Sequence, residues 1–248
     1  MTNILNGKTA LVTGASSGIG ESTAALLAEL GANVVTVARR KSRLDSIKHS
    51  SIYADRIHTI EADIGDAGQA KLAIIEAHEH FGRLDILVNN AGVMLLGPFE
   101  DVEISEWEKM VKINILGVMY CTHAAIPFMK AQGSGHIVNM SSVAGRINKP
   151  TSAVYNATKW AVGAFSESIR QALHNQHIRV TIIEPGAVAT ELTDHIPHGA
   201  TKEQIKNYVG SITPLASKDI ANAIIYAVTQ PAHVNVNEIL IRPTDQLS

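Results

Sequence analysis

"LVTGASSGIGE", residues 11–21, joins a short β-branched run to a helical pattern through three glycines. Gly14, Gly18 and Gly20 stand at a G-x-x-x-G-x-G spacing, with Ser16, Ser17 and Ile19 between them. Glycines at a strand-to-helix turn let the backbone bend sharply and approach a pyrophosphate. That anion is favoured at the positive N-terminal end of the helix that follows. The spacing differs from the commoner G-x-G-x-x-G dinucleotide fingerprint, but the physics is the same. The stretch therefore predicts the opening of a βαβ unit with a phosphate site at its first turn.

Working outward, apolar runs alternate with longer helical patterns. "TALVT" (9–13) precedes a helix from Ile19 to Leu30, "NVVTVA" (33–38) a short charged helix near 41–49, and "IHTIEA" (57–62) a helix over about 67–80. "LDILVNN" (84–90), "GHIVNMS" (135–141), "RVTIIEP" (179–185) and "NEILIR" (237–242) continue the series. Strands apolar at consecutive positions fit a parallel sheet buried on both faces. The repeated strand–helix order implies right-handed crossovers. The expected fold is α/β: one Rossmann-type domain over residues 1–248, with a doubly wound parallel sheet of about seven strands and helices on both faces. Residues 189–213 break the rhythm with a polar stretch containing Pro197 and Gly199. So long an interruption predicts a lid over the substrate, with Leu192 or Ile196 facing inward.

The composition excludes several classes. The chain has 248 residues, 46% hydrophobic and 18% charged, with a net charge of −2. That suits a globular protein with a sizeable core and carries no electrostatic footprint for nucleic acid. "MTNILNGKTALVTG" lacks the basic and apolar regions of a signal peptide, and no run reaches the roughly 18 apolar residues that span a bilayer. The single cysteine, Cys121, forms no intramolecular disulfide and reads as a small buried hydrophobe. These features predict a cytoplasmic, enzyme-sized protein without a nucleic-acid or membrane partner. Eleven histidines include the pairs His195/His198 and His174/His177, but none forms H-E-x-x-H or stands among acidic or cysteine ligands, so no metal is expected.

The end of the second strand chooses the cofactor. NAD-binding sites place an acidic residue there for the ribose 2′-hydroxyl. Here Ala38 holds that position, followed by Arg39, Arg40 and Lys41. Guanidinium groups bind a 2′-phosphate that a carboxylate would repel, and Ser16 can add a hydroxyl. NADP(H) is the expected cofactor.

"AVYNATKWAV" (153–162) places Tyr155 and Lys159 one helical turn apart on one face. With "TGASSGIG" (13–20), "NNAG" (89–92), Asn114 in "VKINILGV", "NMSSVAG" (139–145) and "PGAVAT" (185–190), the order and spacing resemble the short-chain dehydrogenase/reductase superfamily over almost the whole chain. The resemblance implies Tyr155 as general acid/base, Lys159 as its partner and Asn114 as the fourth member. It also implies Ser142, thirteen residues before the tyrosine, as the substrate-orienting hydroxyl, with Ser141 as the alternative. It places Asp63 and Ile64 at adenine, and Asn90, Ala91 and Gly92 along the adenosine and ribose. Pro185, Gly186, Val188 and Thr190 then hold the nicotinamide carboxamide.

The implied reaction passes hydride between the pro-S face of the nicotinamide C4 and a small-molecule carbonyl or alcohol. Charge develops on the carbonyl oxygen, so a positioned donor is needed. A nearby ammonium and an oxidised nicotinamide ring together are expected to lower the phenol's ordinary pKa of about 10. "VMLLGPFED" (93–101), "SSVAGR" (141–146) and "QPAHVNVNEILIRPTDQ" (230–246) are similar to the NADP-dependent branch containing clavulanic acid dehydrogenase and the 3-hydroxy acid (serine-type) dehydrogenases. Members of the superfamily usually form homotetramers. Arg146 is a candidate either for a substrate carboxylate or for a surface cap, and Met94, Leu95 and Leu96 either for a pocket wall or for core. Rival readings are a same-superfamily epimerase or dehydratase, and a non-catalytic NADP sensor.

Overall fold

Every apolar run becomes a strand of one parallel sheet. The computed structural model describes residues 3–247. Along the chain come β1 (Thr9–Thr13), α1 (Gly18–Glu29), β2 (Asn33–Ala38), α2 (Lys41–Ser50), β3 (Ile57–Glu61), α3 (Ala67–Phe81) and β4 (Ile86–Asn89). They continue with α4 (Ile104–Val111), α5 (Val118–Gln132), β5 (Gly135–Met140), α6 (Ala153–Leu173) and β6 (Ile178–Pro185). The last are α7 (Gly199–Gly210), α8 (Ser217–Thr229) and β7 (Glu238–Ile241). The strand order is β3-β2-β1-β4-β5-β6-β7. The order reverses direction between β1 and β4, so their C-terminal ends open the crevice in which such sheets bind ligands.

Successive strand residues point to opposite faces, and both faces are covered. Val12 and Val34 pack with Leu27 of α1 and Ile224 of α8. Leu11 and Val35 pack on the other side with Ile74 of α3 and Met129 of α5. All five residues of β1 are buried, which is why the strand reads as a continuous apolar run.

Two elements depart from the sequence expectation. A π-helical turn, Lys112–Gly117, joins α4 to α5 and makes one helical run, Ile104–Gln132, of 29 residues. By length and mean hydropathy alone that run is apolar enough to cross a membrane, although Glu106, Glu108, Lys109 and Lys112 interrupt it. Its α5 segment instead packs on α3 and on β4 and β5. The 189–213 interval is not irregular: it holds a short 3-10 turn, Glu191–His195, and the whole of α7.

A buried polar chain crosses the sheet beneath the crevice. Asn89 Nδ2 donates to Asn139 Oδ1 at 2.8 Å and to Thr122 Oγ1 of α5 at 3.0 Å. Asn139 Nδ2 donates to Ser166 Oγ of α6 at 2.8 Å. The chain ties both long helices to the central strands.

Candidate active site

The glycine turn is built for close approach. Gly14 has φ +65°, and a Cβ there would lie 2.7 Å from the Cα of Ala91. Gly18 has φ +59° and faces the methyl of Thr190. A Cβ on Gly20 would meet the Asn90 amide at 2.5 Å. Asn90 itself clamps the turn, Nδ2 donating to Thr13 O at 3.0 Å and Gly14 O at 3.3 Å. Arg40 folds back over the turn and donates to Ser16 Oγ at 2.9 and 3.2 Å and to Ser17 Oγ at 3.0 Å. Arg39 is exposed on the rim. Asp63 Oδ1 accepts from Gly65 N at 3.0 Å, and Ile64 is buried beside it.

At the other end of the crevice, the buried face of α6 presents Tyr155 and Lys159. Ser142 leaves the end of β5 and caps a 3-10 turn, its Oγ accepting from Ala144 N at 3.1 Å and donating to Pro185 O at 3.4 Å. Burial pushes the Tyr155 phenol up to about 12, and its hydrogen bond with Ser142 pulls the other way. Desolvation outweighs the Ser142 hydrogen bond and raises the phenol; the expected lowering required the oxidised nicotinamide as well as the ammonium. Lys159 Nζ lies 5.7 Å from the Tyr155 ring centroid and donates to Met140 O at 2.9 Å. Burial lowers it to about 8.

The two serines separate cleanly. Ser141 is buried and spends its hydroxyl on Lys159 O at 3.0 Å, which leaves Ser142 as the one beside the phenol. Asn114 sits in the π-turn, its Oδ1 accepting from Val93 N at 2.8 Å. Its Nδ2 donates to Val93 O at 2.9 Å and to Thr158 Oγ1 at 3.1 Å. A Cβ on Gly92 would lie 3.4 Å from Asn114 Oδ1 and 3.8 Å from Lys159 Nζ, which places that glycine beside both groups.

One cleft of about 550 Å³ joins these two ends. Gly14, Ser16, Ser17, Gly18, Ile19, Arg39, Arg40, Asp63, Ile64, Asn90, Ala91, Gly92, Ser142, Tyr155, Lys159, Pro185, Gly186, Val188 and Thr190 all line it. Gly20 and Asn114 stand behind its wall as supports. Met94, Leu95 and Leu96 line the cleft as well. Leu192 lines the cleft, and Ile196 is buried against Leu95, Leu96, Met110 and Tyr155. Arg146 resolves to the cap: it donates to Glu184 at 2.8 Å and pairs with Glu238, away from the cleft. Its Nε and Nη2 are engaged by these two carboxylates.

Residues 8–201 match the family described as short chain dehydrogenase. The chain belongs to that family. An uncharacterized oxidoreductase of Staphylococcus saprophyticus is 44% identical over 247 residues, covering 98% of this chain and 99% of its own. The closed form of serine dehydrogenase complexed with NADP+ superposes with a TM-score of 0.91 at 33% identity, covering 97% of this chain and 96% of that one. A 3-ketoacyl-(acyl-carrier-protein) reductase from Brucella melitensis, complexed with NADH, gives 0.85 at 31% identity, covering 96% and 98%. This chain is thus an oxidoreductase of the short-chain dehydrogenase family, with a Rossmann-type sheet.

Several cleft residues of this short-chain dehydrogenase escape sequence reasoning. Gln246 lines the cleft, and its Oε1 accepts from Ala187 N at 2.8 Å. Lys149 stands 5.3 Å over the Tyr208 ring, so α7 touches the opposite wall of the cleft. Glu191 accepts from Ser17 Oγ at 2.6 Å and from Arg40, and these bonds hold its carboxyl down to about 2. No motif marks these positions; each depends on long-range packing. Cys121 is buried and pushed up to about 12, as an inert thiol in apolar surroundings. Among the described residues, no three His, Cys, Asp or Glu side chains gather as metal ligands.

Proposed function

We propose that this enzyme is an NADPH-dependent carbonyl reductase or alcohol dehydrogenase acting between NADP(H) and a ketone, aldehyde or hydroxy compound. The carrying observation is that Ser142, Tyr155 and Lys159 converge at one end of a cleft whose other end is the glycine turn. The turn fits a dinucleotide, because Gly14 and Gly18, both at positive φ, bring bare backbone to the cleft wall at the N-terminus of α1. Ala38 at the end of β2, with Arg39, Arg40 and Ser16 beside it, favours the 2′-phosphorylated form. Bound NADPH supplies the hydride.

Tyr155 donates its proton to the carbonyl oxygen as charge develops there, and Ser142 donates a hydrogen bond to the same oxygen. Lys159, held by Met140 O, keeps a cation near the phenol and favours the phenolate left behind. Leu192, Ile196 and Tyr208 of the lid exclude water from that end. Assembly as a homotetramer belongs to the same proposal.

The test is an NADPH-oxidation screen, with NADH in parallel, over ketones, aldehydes, β-keto acids and semialdehydes. Tyr155→Phe should lose turnover by roughly 10²–10⁴-fold while keeping its affinity for NADPH. Near-native turnover by that variant would overturn the assignment of the proton donor.

A further inference from the structure

The strongest unexplained contact in the cleft is a carboxylate resting on the groups that the cofactor needs. Glu191 Oε1 accepts from Ser17 Oγ at 2.6 Å and from Arg40 Nη2. Arg40 also donates to Ser16 Oγ at 2.9 Å, which holds the guanidinium in place, so two donors, Ser17 and Arg40, meet at one anion position beside the first turn of α1. Glu191 does not reach them by chance of a flexible surface chain. Thr190, the residue before it, caps the 3-10 turn Glu191–His195 and lies over Gly18. The root of the lid is thereby seated on the glycine turn.

A carboxylate and a phosphoryl oxygen are both acceptors of charge-assisted hydrogen bonds and compete for the same donors. Two anions a few ångströms apart also repel, so they cannot share the position. We propose that Glu191 is a built-in competitor for a phosphoryl group of the cofactor, which binds by displacing this carboxylate from Ser17 and Arg40. The inference rests on the NADP(H) reading above and adds to it a residue that sets cofactor affinity. The anion position can serve either the 2′-phosphate or the pyrophosphate, and the two differ in a measurable way.

Calorimetric titration of NADP+ and of NAD+ into the full-length protein tests this without any turnover. Glu191→Gln and Glu191→Ala should each bind NADP+ roughly threefold to tenfold more tightly, the range a partly exposed ion pair accounts for. Tightening of NADP+ alone identifies the 2′-phosphate as the competitor; tightening of both dinucleotides identifies the pyrophosphate. In an Arg40→Ala background the gain from Glu191→Gln should shrink, because the shared donor is gone. A gain in affinity is not what a merely damaged fold produces, and melting curves of the variants check that point. Unchanged or weaker NADP+ binding in both variants overturns the inference. A wild-type protein that shows no preference for NADP+ over NAD+ overturns the cofactor reading instead, whatever the Glu191 variants do.

Discussion

Tyr155 carries two opposed demands. It must hold a proton to give during carbonyl reduction and must lose it to act as base during alcohol oxidation. With burial pushing the phenol up to about 12, the protonated form prevails through the neutral range. Reduction should therefore hold through the neutral range and fall as Lys159, lowered by burial to about 8, loses the charge that favours the phenolate. Oxidation, which needs the phenolate, should climb from about pH 7 until that charge is lost. Initial-rate profiles in both directions check this, and a flat oxidation profile would contradict it. The pairing of Tyr155 and Lys159 was legible from their i, i+4 spacing, and so was Ser142 once the family resemblance supplied its offset from the tyrosine. The raised phenol was not, because desolvation depends on Leu95, Leu96, Met110 and Ile196 closing around it from distant parts of the chain. Arg146 shows the same limit: its partners, Glu184 and Glu238, lie on β6 and β7, far away in sequence.

At the level of elements, β1 and β2 coincide with the runs read from the sequence, and the other strands differ only by a residue or two at their ends. Buried parallel strands advertise themselves through continuous β-branched composition. The π-turn at Lys112–Gly117 leaves no comparable trace, since its extra residue per turn is set by what it must hold. What it holds is Asn114, whose amide closes three hydrogen bonds to Val93 and Thr158. Asn114→Ala leaves those buried groups unpaired and should cost about 1–3 kcal/mol in urea denaturation. Because Val93 borders the cleft and Thr158 precedes Lys159, the loss should appear in kcat more than in the KM for NADPH. Helix α7 was hidden for a different reason: it is mostly polar and begins and ends at Gly199 and Gly210, so its composition imitates a loop.

Across the whole molecule, stability depends on groups far from the cleft. His136 is fully buried at the start of β5, with Nε2 2.7 Å from Thr181 Oγ1. That hydroxyl donates to Val236 O at 2.7 Å, so the imidazole Nε2–H must be the donor and Nδ1 stays bare and without a partner. Desolvation, with Arg179 nearby, pushes His136 down to about 3. The unfolded chain takes up this proton near pH 6.5 while the folded chain refuses it. The contribution of His136 is thus present above about pH 6.5 and lost as the pH falls towards 3. Urea midpoints measured from pH 7 to 4 should fall, and His136→Gln should flatten that slope by close to one proton. The polar chain Asn89–Asn139–Ser166 has a consequence of another kind. Apolar neighbours tolerate one another in many combinations, but a donor facing a buried acceptor accepts very few. A substitution at any one of the three strands its partners in a dry interior. Lineages of this enzyme should therefore exchange these positions as a set, and coordinated variation among them would be inherited evidence of how the two long helices are kept in step.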